Sequence, residues 1–173
     1  MKNLQDSATP LRVADIVYGT IVDGPGLRTS IYFAGCAHRC PGCHNPSTWD
    51  FAGGREVAVG DLLAQVEREG LNVTLSGGDP VYQAEALLPF VEVLRERGVG
   101  IWCYTGFTYE EIMDGRAGES AVRLLEYVDV LVDGPYVEAL RDPSLRFRGS
   151  SNQRLVDLRR SVPGELVFYD CRQ

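Results

Sequence analysis

Cys36-Ala37-His38-Arg39-Cys40-Pro41-Gly42-Cys43 is the stretch best equipped to do chemistry. Three thiols at C-x3-C-x2-C spacing, on a segment punctuated by Pro41 and Gly42, are close enough in sequence to converge on one metal centre. Three is an odd number for a closed site. Structural zinc normally takes four ligands, and a conventional iron–sulfur cube takes four thiolates. Either a fourth donor comes from elsewhere, or one position stays open for chemistry. The only two histidines, His38 and His44, flank these cysteines, so three thiols and one imidazole around zinc is one reading. A cluster with three protein ligands and an open iron is the other.

A second stretch bears on that choice. In Ser76-Gly77-Gly78-Asp79-Pro80, two glycines at a strand end let the backbone approach a ligand closely and present N–H and C=O groups to it. The neighbouring carboxylate of Asp79 can pair with an ammonium group. Zinc needs no such cradle, whereas a cluster that binds an amino-acid-like cofactor does.

These motifs must be positioned by regular elements. Residues 29–34 are β-branched and aromatic-rich and read as a core strand leading into the cysteines. Residues 11–22 are mixed and extended, and Asp23-Gly24-Pro25-Gly26 is a turn. Leu62, Leu63 and Val66 at helical spacing predict an amphipathic helix over Val59–Glu69, closed by Gly70. Strands follow at residues 71–75, 99–104 and 128–132, with helices at 83–97, near 109–113 and at 120–127. Residues 141–152 are polar and turn-like, 154–158 form a short apolar segment, and 165–169 read as a last strand. Strand–helix alternation predicts βαβ units and a parallel sheet. In such sheets functional groups gather at the carboxyl ends of the strands. The cysteine loop, Ser76–Pro80, Thr105-Gly106 and Asp133-Gly134-Pro135 all fall there. The expected fold is α/β, an open, partial (β/α) barrel of five to six mainly parallel strands.

With 173 residues, 45% hydrophobic and 24% charged, the chain reads as a single domain over residues 1–173, with its core at about 12–157 and an extension at 158–173. A formal net charge of −7 argues against a nucleic-acid partner. Arg141, Arg146, Arg148, Arg154, Arg159 and Arg160 gather in the last third, as a solvated surface or as a docking face for an acidic partner or a phosphate. There is no stretch of the roughly 18–20 apolar residues that a membrane span needs. Residues 1–10 are polar, without a signal-peptide apolar region, so a cytoplasmic protein is expected. There, five cysteines point to metal or catalysis rather than disulfides. Cys103, in an apolar run, reads as a core residue, and Cys171 as incidental.

Taken together, the cysteine spacing after one strand and the Gly-Gly-acidic motif after the next resemble the radical S-adenosylmethionine superfamily. Asp23-Gly24-Pro25-Gly26, Cys40-Pro41-Gly42-Cys43, Asn45, Ser47-Thr48-Trp49, Ser76–Pro80, Thr105-Gly106, residues 130–134 and Arg148-Gly149-Ser150-Ser151-Asn152-Gln153 resemble, in the same order, its branch of anaerobic ribonucleoside-triphosphate reductase activating proteins. Where many superfamily members place an aromatic residue before the last cysteine, this chain has Gly42. Where the wider superfamily often has Glu, it has Asp79.

The resemblance implies a [4Fe–4S] cluster on Cys36, Cys40 and Cys43, with S-adenosylmethionine on the open iron. It further implies Gly77, Gly78 and Asp79 at the cofactor's amino end, Gly42 and His44 near its adenine, and Cys43 as a cofactor contact as well as a cluster ligand. The implied reaction is one-electron cleavage of S-adenosylmethionine to a 5′-deoxyadenosyl radical, which takes a hydrogen from a glycine in the large subunit of the reductase. An external one-electron reductant is the second implied partner. The competing readings are a deazaguanine-synthase-like enzyme acting on a small molecule and a zinc-bound interaction module. The Arg148–Gln153 stretch is either a plain surface loop or a segment that docks the reductase or closes the site.

Overall fold

The computed structural model describes residues 9–162 and 164–171. Residues 1–8, most of the polar stretch expected to carry no signal-like segment, lie outside them. Strand β1 (Leu11–Thr20) leads through a loop into β2 (Arg28–Phe33), which enters the cysteine loop. Strand β3 (Arg55–Val57) follows, then helix α1 (Val59–Glu69) and β4 (Asn72–Gly77). Next come α2 (Ala84–Glu96), β5 (Ile101–Tyr104), α3 (Tyr109–Met113), α4 (Glu119–Leu125), β6 (Val130–Asp133) and β7 (Arg154–Asp157).

All seven strands join one sheet in the order β3-β1-β2-β4-β5-β6-β7. Strands β2, β4, β5 and β6 are mutually parallel. The pairs β1/β2, β1/β3 and β6/β7 are antiparallel. The expectation of five to six mainly parallel strands is therefore corrected to seven, half of whose pairings are parallel. The reason lies in the connections. A parallel neighbour needs a crossover, usually a helix, and only the β4-to-β6 stretch and the step from β3 carry one. Segments that return by loop alone, β1 into β2 and β6 into β7, come back antiparallel. Strands β3 and β7 end the sheet without pairing to each other among the described residues, so it stays open.

Alternation along the strands divides the side chains between two faces. Ile31, Phe33, Val73, Leu75, Ile101, Cys103, Leu131 and Val156 pack with the buried faces of the helices in one large core. Helix α1 contributes Val59, Leu62, Leu63 and Val66, and Gly70 ends it at φ 64°, its N–H donating to the Val66 carbonyl. That left-handed cap costs glycine nothing. Cys103 is a core residue as expected. On the opposite face, Trp102, Val130, Val132 and Leu155 form a smaller cluster beneath Phe147 and Tyr169. Cys171 packs against this cluster. Buried Arg28 lies over the Trp102 ring and donates to Thr74 Oγ1 and the Val73 carbonyl. Burial lowers its pKa to about 10, which still leaves it charged at neutral pH.

Residues 165–169, expected as a strand, make only isolated bridges, Val156 with Phe168 and Val162 with Glu165. Hydrogen bonds from Asp157 N–H to Val167 O and from Tyr169 N–H to Leu155 O tie the segment along β7 without a regular ladder. Among the described residues no helix is long and apolar enough to cross a membrane.

Candidate functional site

A cavity of about 720 Å3 opens at the carboxyl ends of the four parallel strands. Tyr32 and Cys36 reach it from the end of β2, and Ser76, Gly77 and Gly78 from β4. Tyr104, Thr105 and Gly106 come from β5, and Gly134 and Tyr136 from beyond β6. The four strand-end loops singled out by sequence thus share one opening.

Cys36, Cys40 and Cys43 all line this cavity as free thiols. Their loop is short and pinned at both ends. Gly35 N–H donates to Thr48 O at 2.8 Å, Cys36 N–H to Trp49 O at 3.1 Å and Cys43 N–H to Cys40 O at 3.1 Å. Arg39 and Gly42 adopt positive φ, 45° and 73°, two reversals within four residues of the loop. For Arg39 that conformation costs about 1 kcal/mol. Asn45 N–H lies 3.4 Å from Cys43 Sγ. Burial pushes the Cys36 and Cys40 thiols above their ordinary pKa.

Three thiols are a donor set that fits an iron–sulfur cluster. Cys36, Cys40 and Cys43 share the lining of one cavity, although among the described residues no three His, Cys, Asp or Glu side chains stand close enough to hold a metal ion as placed. Both histidines line the same cavity, each with a neighbour of its own. The His44 ring rests against Tyr136, centroids 5.0 Å apart. The His38 Nε2, also in the cavity lining, lies 3.2 Å from Asp79 Oδ2. That approach has the distance of an ion pair but not the alignment of a hydrogen bond, since Nε2 has no aligned partner.

The Gly-Gly-Asp turn is divided. Gly77 and Gly78 line the cavity, and their backbone fits tightly against the cysteine-bearing chain. A Cβ on Gly77 would lie 2.4 Å from Phe33 N, and one on Gly78 2.5 Å from Gly35 O. The N–H groups of Gly78 and Asp79 donate to the carbonyls of Phe33 and Gly35, so they are not presented to the cavity. Asp79, expected to offer its carboxylate to an ammonium group, is fully buried. Its Oδ1 accepts from Val81 N–H at 3.0 Å, and Oδ2 accepts from the Thr105 hydroxyl and Gly106 N–H, both at 2.9 Å. Gly42 is a turn residue set against the Glu138 carboxylate, whereas His44 does line the cavity.

Sequence reasoning missed Tyr32 and Tyr136. Tyr32 alternates with core residues Ile31 and Phe33, so period-2 counting places it on the opposite face, where its hydroxyl donates to Asp23 Oδ2 at 2.5 Å. Tyr136 follows the β6 turn, where the strand-end rule already pointed. The Arg148–Gln153 stretch resolves into a cavity wall. Gln153 Oε1 accepts from Gly149 N–H and Ser150 N–H, its Nε2 donates to Gly134 O, and Asn152 Nδ2 donates to Pro135 O. Several of the clustered arginines have internal partners. Arg154 bridges Asp133 and Glu110, Arg159 binds Asp129, and Arg146 and Arg148 reach backbone carbonyls.

Three thiols line the cavity at the parallel strand ends, and residues 22–156 match the family described as a 4Fe-4S single cluster domain, which places the chain among iron–sulfur proteins. Three similar proteins, each named anaerobic ribonucleoside-triphosphate reductase-activating protein, come from Escherichia coli K12, Vibrio cholerae serotype O1 and enterobacteria phage T4. They are 37%, 38% and 36% identical to this chain. The alignments cover 80%, 77% and 78% of this chain, and 94%, 89% and 86% of the relatives. The solved structure of QueE from Escherichia coli is a partial likeness, 23% identical over 57% of this chain and 53% of its own, with a TM-score of 0.46. The chain belongs to the family of anaerobic ribonucleoside-triphosphate reductase-activating proteins.

Proposed function

We propose that this protein activates an anaerobic ribonucleoside-triphosphate reductase as a radical S-adenosylmethionine enzyme. The observation that carries the reading is that Cys36, Cys40, Cys43 and the Gly77-Gly78 turn all line one cavity. Cys36, Cys40 and Cys43 would each hold an iron of a [4Fe–4S] cluster, leaving the fourth iron to the amino nitrogen and carboxylate of S-adenosylmethionine. When bound, this pair of cofactors supplies one-electron cleavage of the sulfonium and a 5′-deoxyadenosyl radical able to take a hydrogen from a glycine of the reductase.

The chain's own residues bind, orient and shield. The N–H groups of Gly78 and Asp79 are committed to Phe33 and Gly35, and the Asp79 carbonyl accepts from Tyr82 N–H, so the Gly77 and Gly78 carbonyl oxygens are what this turn would offer an ammonium group. The ring of His44, braced by Tyr136, and the wall held by Gln153 would flank the nucleoside. The open sheet, read as a partial barrel of the radical S-adenosylmethionine type, leaves a mouth through which the partner's glycine loop would enter. A reducing, cytoplasmic setting, an external one-electron donor and a single domain over residues 1–173 complete this reading.

The test is to reconstitute the protein anaerobically, reduce it, and mix it with S-adenosylmethionine and the reductase. A glycyl radical signal in electron paramagnetic resonance is expected. Cofactor cleavage with no glycyl radical would move the protein to a small-molecule substrate.

A further inference from the structure

We propose that Asp79 and His38 form a latch fastening the cysteine loop to the sheet edge, so that Asp79 is a positioning residue for the cluster ligands and not a ligand of the cofactor. The proposal rests on the reading of Cys36, Cys40 and Cys43 as cluster ligands.

The carboxylate of Asp79 gathers three separate loops. Its own turn supplies Val81 N–H, the loop after β5 supplies the Thr105 hydroxyl and Gly106 N–H, and the cysteine loop supplies His38. An ionised carboxylate has about four acceptor sites. Three are filled by aligned hydrogen bonds, and the imidazole edge lies 3.2 Å from Oδ2. With the residue fully buried, an ammonium group from the cavity could meet this carboxylate only if the wall opened.

His38 is the other half of the device. It stands midway between Cys36 and Cys40, and its ring is packed edge-on to Phe107 at 4.6 Å and tilted on Tyr82 at 5.8 Å. Gly106 lies so close that a Cβ there would be 2.4 Å from His38 Cδ2. A side chain held on three sides cannot drift, and neither can the short backbone segment linking the two thiols. The hydrogen bonds that Val81, Thr105 and Gly106 make to the Asp79 carboxylate are of the stronger, charge-assisted kind, and removing the carboxylate leaves those donors unsatisfied.

The test compares His38→Ala, Asp79→Ala, Asp79→Glu and the His38→Ala/Asp79→Ala double variant with the unaltered chain. In the metal-free proteins, amide hydrogen exchange across residues 36–43 is expected to speed up by roughly tenfold or more in each single variant. The double variant should go no further than the faster single one. Asp79→Glu should behave as Asp79→Ala, because the closed slot has no room for another methylene. After reconstitution without S-adenosylmethionine, the same variants should hold less iron and show an altered reduced-cluster resonance spectrum. If Asp79→Ala instead left loop exchange and the cofactor-free spectrum unchanged while weakening S-adenosylmethionine binding, the latch would be overturned. Tolerance of Asp79→Glu in all these measurements would overturn it too. Should Asp79→Ala not fold, His38→Ala carries the same readouts on its own. An unaltered chain that takes up no iron would defeat the cluster reading, while the exchange measurement would still judge the latch.

Discussion

The rings of His44 and Tyr136 meet at 49° with centroids 5.0 Å apart, joining the cysteine loop to the loop that leaves β6. Gly149 closes the contact from a third side. A Cβ there would come within 3.1 Å of Tyr136 Cδ2 and 3.2 Å of His44 Cε1. The wall built by the Arg148–Gln153 stretch therefore sets the position of a cavity-lining ring.

Gly149→Ala should part these rings while sparing the core. Since His44 is exposed and can yield, the expected loss of stability is below about 1 kcal/mol. Iron content should be unchanged, and S-adenosylmethionine affinity should drop severalfold by calorimetric titration. Unchanged affinity would remove the nucleoside from this wall.

Cys36→Ala, Cys40→Ala and Cys43→Ala should each abolish cluster assembly. The unaltered protein, purified without oxygen, should be brown with about four irons per chain. Colourless protein with one zinc would sink the cluster, and so would cofactor cleavage retained by any of the three variants.

Gly77→Ala and Gly78→Ala should damage the fold before they damage binding. The added carbon meets backbone atoms of Phe33 and Gly35 that cannot step aside, and Gly77 sits at φ 102°. A loss of more than about 2 kcal/mol is expected, measured by denaturant unfolding of metal-free protein. A normal midpoint in both variants would mean that the turn yields.

Arg154→Met should strip fully buried Asp133 of its ionic partner, which otherwise donates from Nε to Oδ1 at 3.0 Å and binds Oδ2 as well. Leaving that carboxylate with little beyond Tyr109 N–H should cost about 3 kcal/mol. The Arg154 hydrogen bonds also hold the Glu110 carboxyl below its ordinary pKa. A depressed carboxylate stabilises the fold above its unfolded value, about 4.3, and that contribution fades as pH falls through the folded value. The stability gap between wild type and Arg154→Met should therefore narrow in acid, below about pH 4.3. A gap constant with pH would show that Glu110 takes no part.

Much of the fold can be read from residue order. Val59–Glu69 is legible because its apolar positions follow one helical face and Gly70 ends it. Strand β1 reads only as a mixed, extended segment because its pairing with β2 shifts register between Val13 and Asp15 and again between Val17 and Thr20. Those irregularities break the period-2 pattern that marks a strand. Residues 165–169 have strand composition, but composition does not supply a neighbour with a free ladder, and only bridges form.

For the site, the sequence by itself determined that three thiols lie within one short loop and that four turn-rich loops follow four parallel strands. Local spacing and the βαβ rule suffice for that. Folding brings the rest: Asp79 is buried in the wall, His38 meets it from the cavity lining, and His44 leans on Tyr136. Each of these depends on contacts between loops far apart in sequence, and a buried carboxylate is oriented by whichever donors the folded neighbours bring to it.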